Sequence, residues 1–319
     1  MLNTDNESAT RTITTQRTNP NQRPLRVKRA KSLTKSRVEP YIFILPTVAL
    51  FAVVLIIPIA NLTLYSLGDS NLFQGFTGWN NFENFSYLAS AKFLQTVLVT
   101  VIWLVGGVVG IVVCGLAIAL ALNKPIKGRT LFRALVIIPW IVPHAFAGAM
   151  WSWVLQPQFG ILNRVLVTTG LVSEPISFLD ADSALATVII VRIWQGAPFM
   201  IITLLAGLQT IPNEIEEAAQ IDGATWFQRL RYITLPHLRP VLTVSTLIVA
   251  AWTLQVFDTV YVMTNGGPAR STQIIALDIY SKVFIESDLG SGAAMALVTL
   301  IVVSVMSWRA LRKEGQETV

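Results

Sequence analysis

Long apolar segments separated by short polar ones follow one another along the chain from about residue 40. Each is long enough to cross a hydrocarbon core of about 30 Å as a helix that rises about 1.5 Å per residue. The pattern predicts six membrane-spanning helices, at about residues 41–67, 93–122, 131–155, 183–208, 240–263 and 290–311. Breaks or kinks are expected in the third and fourth spans, at Pro139, Pro143, Gly196 and Pro198. The fold class predicted is an all-α membrane protein.

The composition supports this class. Of the 319 residues, 53% are hydrophobic and 13% are charged, and the mean hydropathy is +0.58. The length would suit two soluble domains, but so apolar a chain needs lipid as the solvent of its surface. The lone Cys114 excludes a disulfide framework within the chain, and His144 and His237 lack partners at metal-ligand spacing. We therefore expect no metal site.

Residues 1–39 differ from the rest of the chain. They hold nine Lys/Arg and many small polar residues, with almost no bulky apolar ones. We expect a disordered basic tail in the cytoplasm, weakly attracted to anionic lipid head groups, followed by a membrane domain over residues 40–319. The tail lacks the interleaved aromatic residues typical of nucleic-acid binding, so no nucleic-acid partner is expected.

The distribution of basic residues predicts the orientation. With a cytoplasmic amino terminus, 19 of the 24 Lys/Arg lie in cytoplasmic segments and four lie in outer loops, while Arg192 lies within a span. The positive-inside rule then places both termini in the cytoplasm, together with the loop of about residues 208–239 between the fourth and fifth spans.

This loop has the sequence signature of two short helices. Two residue pairs have capping-box spacing, Asn213 with Glu216 and Thr225 with Gln228. Gly223 is predicted to end the first helix in the left-handed conformation that glycine adopts without a Cβ penalty. The second helix is expected to run to Ile233 and to end at Pro236. A helix–glycine–helix unit between membrane spans is suited to docking.

The same loop resembles the EAA loop of ABC-importer permeases, in which Glu-Ala-Ala is followed by a glycine, an isoleucine and Leu-Pro at fixed spacing. The residues assigned to the motif and its surface are Glu217, Ala218, Ala219, Asp222, Gly223, Ile233, Leu235 and Pro236. In that family the loop is cytoplasmic and inserts a coupling helix into a groove on an ATPase subunit. The resemblance therefore implies that these residues couple the chain to an ATPase.

Further segments resemble the maltose-permease-like branch of carbohydrate-uptake permeases. They are WQGAPF at 194–199, FDTVYVMTNGGPARST at 257–272 and GSGAAMA at 290–296. The resemblance implies a type I ABC-importer permease fold in the inner membrane of a bacterial or archaeal cell. It also implies a second permease subunit forming a heterodimer, two ATP-binding cassette subunits, an extracytoplasmic solute-binding protein and a sugar substrate.

The sequence contains no nucleotide site or catalytic set of its own. The phosphate-cradling pattern GxxxxGK[ST] is absent, and GGPARST lacks the lysine that this pattern requires. We expect the chain to be a transport subunit rather than an enzyme and to bind no cofactor itself. ATP and Mg would be bound by the partner ATPase.

Polar residues inside spans are costly and are candidates for a translocation path. The fourth span contains Arg192, Trp194 and Gln195, and the fifth contains Trp252, Gln255 and Asp258. The latter three, at i, i+3 and i+6, share one helix face. Aromatic rings that stack on sugars and polar groups that meet hydroxyls are the mixture that a sugar passage needs. The alternative is that Trp252 packs in the core and that Asp258 ties helices together.

Other functions remain open from the sequence. The buried cation Arg192 is compatible with glycerol 3-phosphate or another charged solute. A permease of the amino-acid type is a further alternative, although such chains are usually shorter and lack the GGP-type outer loop. A non-transporting membrane scaffold would not require the Gly223 turn, and an autonomous membrane enzyme has the least support.

Overall fold

The computed structural model describes residues 39–124 and 127–317. The predicted basic tail lies outside these ranges except for its last residue. In chain order the α-helices are α1 (Glu39–Ser66), α2 (Ala91–Asn123), α3 (Arg129–Ile141), α4 (His144–Val154), α5 (Ile161–Thr168), α6 (Ala184–Leu208), α7 (Asn213–Ile221), α8 (Trp226–Arg229), α9 (Leu235–Gln255), α10 (Asp258–Thr264), α11 (Ile275–Tyr280) and α12 (Leu289–Glu317). A 3₁₀ helix covers Glu83–Ala89, and π-helical segments cover Leu230–Thr234 and Ser281–Ile285.

The chain divides into two compact units, residues 1–54 and residues 55–319. The described part of the first unit is the beginning of α1, whose apolar side chains, such as Phe43 and Leu50, are exposed. The second unit contains the remaining described elements and all the sites discussed below.

Within the described ranges, five helices are long and apolar enough to cross a membrane. They are Phe43–Ser66, Ala91–Asn123, Ala184–Leu208, Trp226–Gln255 and Leu289–Arg309. The consecutive helices α3 and α4 would form a sixth span, bent by 100°. The predicted number of spans therefore holds when this bent pair is counted as one.

Two of the predicted spans are not continuous helices. The third is broken between α3 and α4, where Val142 is extended immediately before Pro143, as expected for a residue that precedes proline. The fifth was predicted to run to residue 263, but α9 ends at Gln255 and Val256 is extended before α10 begins. The sequence indicated the first break through Pro143 and did not indicate the second.

The predicted fourth span, in contrast, is one uninterrupted helix. α6 continues through Gly196 and Pro198 and is the most deeply buried of the candidate spans. Its packing against α2 is close because a side chain at Gly110 of α2 would collide with Ile193, and one at Gly115 with Met200. α6 thus stays helical through Pro198 along the stretch that packs closely against α2.

A small β-hairpin follows α1 and was not predicted. Strand β1 (Gly68–Asn71) pairs antiparallel with β2 (Gly75–Trp79), with Gly68 opposite Trp79 and an irregularity after Asp69. At the turn, the side-chain oxygen of Asn71 accepts hydrogen bonds from the backbone N–H groups of Phe73 and Gln74. Strands this short, with little alternation of polar and apolar residues, give no usable sequence signal.

Candidate functional site

A cavity of about 450 Å³ lies where the two broken spans meet α6. Its walls come from the α3–α4 break, from α6 and from the α9–α10 break. The lining residues are Trp140, His144, Arg192, Gly196, Trp252, Gln255, Val256, Phe257 and Asp258. The structure thus brings together four of the six predicted path residues, namely Arg192, Trp252, Gln255 and Asp258.

Arg192 is the buried cation of this cavity, with 3% of its surface exposed. Its Nε and Nη2 atoms donate hydrogen bonds of 3.2 and 3.1 Å to the hydroxyl oxygen of Thr253. Among the described residues no carboxylate oxygen lies within 4.0 Å of the guanidinium, although Asp258 lines the same cavity. Because a guanidinium has five N–H groups, most of its donors remain available to a ligand or to water.

One wall of the cavity is aromatic. Trp252 meets Phe199 edge to face at 4.7 Å between ring centroids, and Phe199 lies 6.2 Å from Trp140. Trp252 is nevertheless 37% exposed. It therefore combines packing against Phe199 with an accessible surface.

The other two predicted path residues, Trp194 and Gln195, do not line the cavity. Trp194 packs edge to face on Trp151, at 5.4 Å between ring centroids. Gln195 is 2% exposed, and its Oε1 atom lies 3.1 Å from Nδ1 of His144 and 3.4 Å from the hydroxyl of Thr259. Its Nε2 group is buried and has no hydrogen-bond partner among the described residues. Gln195 thus contacts a residue of the cavity wall, His144, and does not line the cavity itself.

Sequence reasoning missed several lining residues, of which His144 is the most polar. It was considered only as a metal ligand, whereas the break after Val142 places it at the start of α4 and at the cavity wall. The two prolines flanking this break were the available signal. In the part of the chain that the structure describes, no group of side chains suited to a metal ion occurs.

The loop between α6 and α9 presents most of its predicted coupling residues to the surface. Glu217, Ala218, Asp222, Gly223 and Pro236 are exposed, and the remaining three (Ala219, Ile233 and Leu235) are half-buried. Gly223 has a φ of +77°, with open space where a Cβ atom would stand. The turn therefore uses the left-handed conformation predicted for this glycine.

Only the second capping box forms. Gln228 N–H donates to the Thr225 hydroxyl at 3.3 Å, and Thr225 N–H donates to Gln228 Oε1 at 2.7 Å. The predicted box at Asn213 is wrong, because Pro212 occupies the cap position and makes Asn213 the first helical residue. Among the described residues, no side-chain hydrogen bond caps the start of this helix.

The prediction that Pro236 ends the second helix is also wrong. The helical segment runs from Trp226 to Gln255, and Pro236 lies in the first turn of α9. The preceding π-helical turn, in which Leu235 N–H donates to Leu230 C=O, moves the helix out of the register in which the proline ring would clash. The second helix of the loop is thus continuous with the fifth span.

The end of α2 opposite this loop carries a second buried polar group, which we call the Asp278 network: Tyr87, Thr96, Arg270, Gln273 and Asp278. Asp278 is 2% exposed and accepts hydrogen bonds of 3.0–3.2 Å from the four other members. Arg270 also donates to the Thr96 hydroxyl at 2.7 Å. Burial, and then the charge of Asp278, raise the pKa of the Tyr87 phenol, so this hydroxyl stays protonated as a donor.

Comparison with known proteins agrees with this architecture. Residues 110–311 match the family model described as "Binding-protein-dependent transport system inner membrane component". The trehalose/maltose transport system permease protein MalF of Thermococcus litoralis is 36% identical over 267 residues, which are 82% of this chain and 89% of that protein. The sulfoquinovosyl glycerol transport system permease protein SmoG of Agrobacterium fabrum is 34% identical over 264 residues, covering 82% and 85%.

A more distant relative is the sn-glycerol-3-phosphate transport system permease protein UgpA of Agrobacterium fabrum, 29% identical over 85% of this chain and 93% of that protein. Among solved structures, a chain of a bacterial ABC transporter involved in the import of the acidic polysaccharide alginate superposes with a TM-score of 0.74. It is 24% identical, with 88% of this chain and 96% of that chain covered, and this likeness supports the fold. The chain therefore belongs to the binding-protein-dependent transport system inner membrane components, and it is a multi-pass ABC-importer permease.

Proposed function

We propose that this chain is the permease subunit of an ATP-driven importer for a sugar or oligosaccharide. The observation that carries the proposal is the cavity at the two helix breaks, which combines exposed aromatic surface with the polar groups of Arg192, Gln255 and Asp258. Solute would enter this cavity from one side of the membrane and leave it to the other as the permease alternates between two states.

The chemistry of the cavity favours a sugar. Trp252 offers an aromatic face on which a sugar ring can stack, and Gln255 both donates and accepts hydrogen bonds. Arg192 and Asp258 carry opposite charges, so the cavity as a whole is suited to an uncharged polyol with many hydroxyl groups. The names of the relatives MalF and SmoG, which refer to sugars or a sugar glycoside, support this assignment.

The loop between α6 and α9 is the proposed coupling surface. Among its apolar side chains Ile221, Phe227 and Tyr232 are 86%, 63% and 71% exposed, which is a high exposure for a surface with no partner. Together with the eight predicted coupling residues, they would seat on an ATPase subunit. ATP and Mg belong to that subunit, and this chain binds no cofactor and catalyses no reaction itself.

The complete assembly would contain a second, different permease, two ATP-binding cassette subunits and an extracytoplasmic solute-binding protein. The coupling loop and both termini would be cytoplasmic. In a Cys114→Ser background, a Ser271→Cys variant should react with a membrane-impermeant thiol reagent in intact cells, whereas a Gln228→Cys variant should not. The reverse labelling would overturn this orientation.

Transport in proteoliposomes tests the function. The chain is purified together with the second permease, the ATPase and the binding protein encoded beside it. The complex is reconstituted with ATP in the compartment that the ATPase subunits face. We expect ATP-dependent uptake of at least one of maltose, trehalose and sulfoquinovosyl glycerol, and none without ATP. No uptake of any of these, from a complex that assembles and hydrolyses ATP, would contradict a sugar importer.

Two loop variants test the coupling surface. Gly223→Val forces a β-branched residue into a positive φ, at a cost of about 1 kcal/mol or more, and Glu217→Lys reverses an exposed charge. Both should leave the permease in the membrane but release the ATPase on purification. Gly170→Val is the matched control, because Gly170 also has a positive φ (+72°) and open space around it but lies outside the loop. Normal ATPase retention in both loop variants would refute this coupling role.

One observation favours a second candidate, an importer for an anionic solute. Arg192 has a single hydroxyl partner in the part of the chain that the structure describes, so its remaining donors could bind a phosphate or carboxylate group. The relative UgpA is named for glycerol 3-phosphate. Uptake of glycerol 3-phosphate in preference to the three sugars would select this alternative.

A further inference from the structure

A second cavity, of about 750 Å³, lies between the loop that joins α6 to α9 and the adjoining ends of α2 and α6. We call it the loop cavity. The loop contributes one face of α7, with Asn213, Glu216 and Gln220, and one face of the helical segment that follows, including Trp226 and Arg229. None of the eight predicted coupling residues is part of this lining. The loop cavity is therefore a different site from the proposed coupling surface, on a different face of the same loop.

The lining of the loop cavity changes from apolar to polar along α2. Ala117, Leu120 and Ala121 belong to the candidate span Ala91–Asn123, and Lys124 follows this span directly. The distance along the helix from Ala117 to Lys124 is roughly 10 Å. Ala117 and Ala121 are exposed, so the apolar end of the cavity adjoins the accessible surface of a span. An occupant would thus meet hydrocarbon at one end and the aqueous boundary at the other.

The polar end of the loop cavity is cationic. Lys124 and Arg229 line it together with a single carboxylate, that of Glu216. Among the described residues, no carboxylate oxygen lies within 4.0 Å of either cation. Arg229 donates one hydrogen bond, from Nη1 to the Ala224 carbonyl at 3.2 Å, and its other donors have no acceptor in the part of the chain that the structure describes. The cavity therefore has an excess positive charge and free donors for one anionic group.

Trp226 lies at the same end of the loop and is 53% exposed. Tryptophan is typical of the boundary between hydrocarbon and head groups, because its ring is apolar and its N–H group is polar. Basic cavities at the cytoplasmic ends of membrane helices are suited to anionic lipid head groups. A small soluble anion would use only the polar end and would leave the apolar wall of α2 uncovered, so the lining as a whole favours an amphiphile.

We propose that the loop cavity binds one anionic phospholipid, with its phosphate group at Lys124 and Arg229 and an acyl chain along Ala117 and Ala121. The proposal rests on the cytoplasmic position of the loop in the proposed function, which assigns the lipid to the inner leaflet. The lipid would fill the space between the loop and the spans. Its binding does not depend on which solute the complex transports.

Native mass spectrometry of the purified complex, with its second permease and ATPase subunits, measures the binding. The delipidated complex is titrated with phosphatidylglycerol and, separately, with phosphatidylcholine. Wild type should bind one phosphatidylglycerol about tenfold or more tightly than phosphatidylcholine, since only the former has a net negative charge. Glycerophosphoglycerol, the water-soluble head group without acyl chains, should not displace it at equal concentration.

A charge variant and a matched control locate the site. Lys124→Gln/Arg229→Gln removes both cations from the cavity and should lower the affinity for phosphatidylglycerol about tenfold or more. Lys127→Gln/Arg231→Gln removes the same charge from exposed positions nearby that do not line the cavity, and it should bind as wild type.

A second variant leaves the charges in place. Because Arg229 also bonds the Ala224 carbonyl, its loss could disturb the loop, whereas Ala117→Phe changes only the apolar end of the cavity. Ala117 is exposed on a membrane span, so the larger side chain should not prevent folding. We expect Ala117→Phe to weaken phosphatidylglycerol binding by a similar factor while the complex retains its ATPase subunits.

Four results would overturn the proposal: equal affinity of the wild type for the two lipids, as when a partner subunit fills the cavity; displacement of the lipid by glycerophosphoglycerol; equal weakening in the charge variant and its control; and unchanged binding in Ala117→Phe. Sugar uptake by the wild type is measured separately. A complex that imports a sugar but gives any of these four results overturns the lipid site alone. A complex that shows the expected lipid binding but imports no sugar overturns the proposed function alone.

Discussion

The Asp278 network and the cavity at the helix breaks each contain a charged side chain that is almost fully buried. The two side chains differ in how many hydrogen-bond partners the protein provides. Asp278 is 2% exposed and accepts four hydrogen bonds, including one from the cationic Arg270. Arg192 is 3% exposed, and among the described residues a single hydroxyl, that of Thr253, accepts its hydrogen bonds. The protein therefore provides Asp278 with a full set of hydrogen-bond donors, whereas most N–H groups of Arg192 have no acceptor among the described residues.

The difference indicates what each region contributes. A buried charge with a full set of hydrogen-bond partners stabilises one arrangement of the chain. Its removal leaves those partners buried without a hydrogen bond. A buried charge with spare donors costs stability, and it is retained where a ligand supplies the missing partner. Because the network joins the start of α2 to α11 and to the segment before α11, it should hold that end of the domain rigid.

Removal of the Asp278 carboxylate should have the largest effect on stability. Asp278→Ala leaves the donors of Thr96, Arg270 and Gln273 without their shared acceptor, and we expect a loss of about 3 kcal/mol or more. Thermal unfolding of the purified complex and its yield from membranes measure this. Glu286→Ala is the control, because the Glu286 side chain is exposed and its partner Lys282 keeps a second carboxylate, Asp288, so the substitution should cost less than about 1 kcal/mol. Equal effects of the two substitutions would show that the network has no special stabilising role.

Arg192→Met should give the opposite pattern. Methionine fills a similar volume without a charge, and the Thr253 hydroxyl keeps its own hydrogen bond to the Val249 carbonyl. We therefore expect unchanged or increased thermal stability. Sugar uptake should fall about tenfold or more, since hydrogen bonds to a charged group are worth about 1.5–3 kcal/mol. A loss of stability as large as that of Asp278→Ala would instead make Arg192 a structural residue.

The fold could be predicted from the sequence where it depends on local pattern. The six apolar segments, the Gly223 turn and the break before Pro143 all follow from composition or from residues with special backbone preferences. The break at Val256 could not be predicted, because no proline or glycine marks it. It accompanies the packing of α10 on α4, a contact between residues more than 100 positions apart.

The candidate site was predictable to a similar extent. Polar residues inside apolar segments identified Arg192, Trp252, Gln255 and Asp258 as a group. They could not show that Trp194 and Gln195 do not line the cavity, because α6 is buried on most of its surface. Nothing in the sequence indicated that Asp278 would be the centre of a buried network. Its partners Tyr87 and Thr96 precede it by 191 and 182 positions, and only the folded chain brings them together.

Gln255→Ala extends the comparison to a neutral group. Gln255 lines the cavity and makes no side-chain hydrogen bond among the described residues, so its truncation strands no partner. We expect a change in thermal stability within about 0.5 kcal/mol and a fall in sugar uptake of roughly fivefold, as for one lost hydrogen bond. Gln158→Ala, an exposed glutamine in the loop between α4 and α5, is the control. Normal uptake would remove Gln255 from the solute path, and poor assembly would make it structural.

Tyr87→Phe removes one of the four hydrogen-bond donors of the Asp278 network and should lower the stability least. The phenylalanine ring still lies beneath the Lys282 ammonium group, 4.4 Å from the centroid in the wild type, and Asp278 keeps its three other donors. We expect a loss of about 1 kcal/mol, the net value of one hydrogen bond.

The contribution of this hydrogen bond should depend on pH. Because burial and Asp278 raise the pKa of Tyr87, the contribution is fully present below the ordinary tyrosine pKa of about 10. It is lost as the pH rises through the higher pKa of the folded protein. The stability difference between wild type and Tyr87→Phe, measured by thermal unfolding at pH 7 and above pH 10, should therefore shrink at the higher pH. A difference that stays constant or grows would mean that the tyrosine hydroxyl does not donate to Asp278.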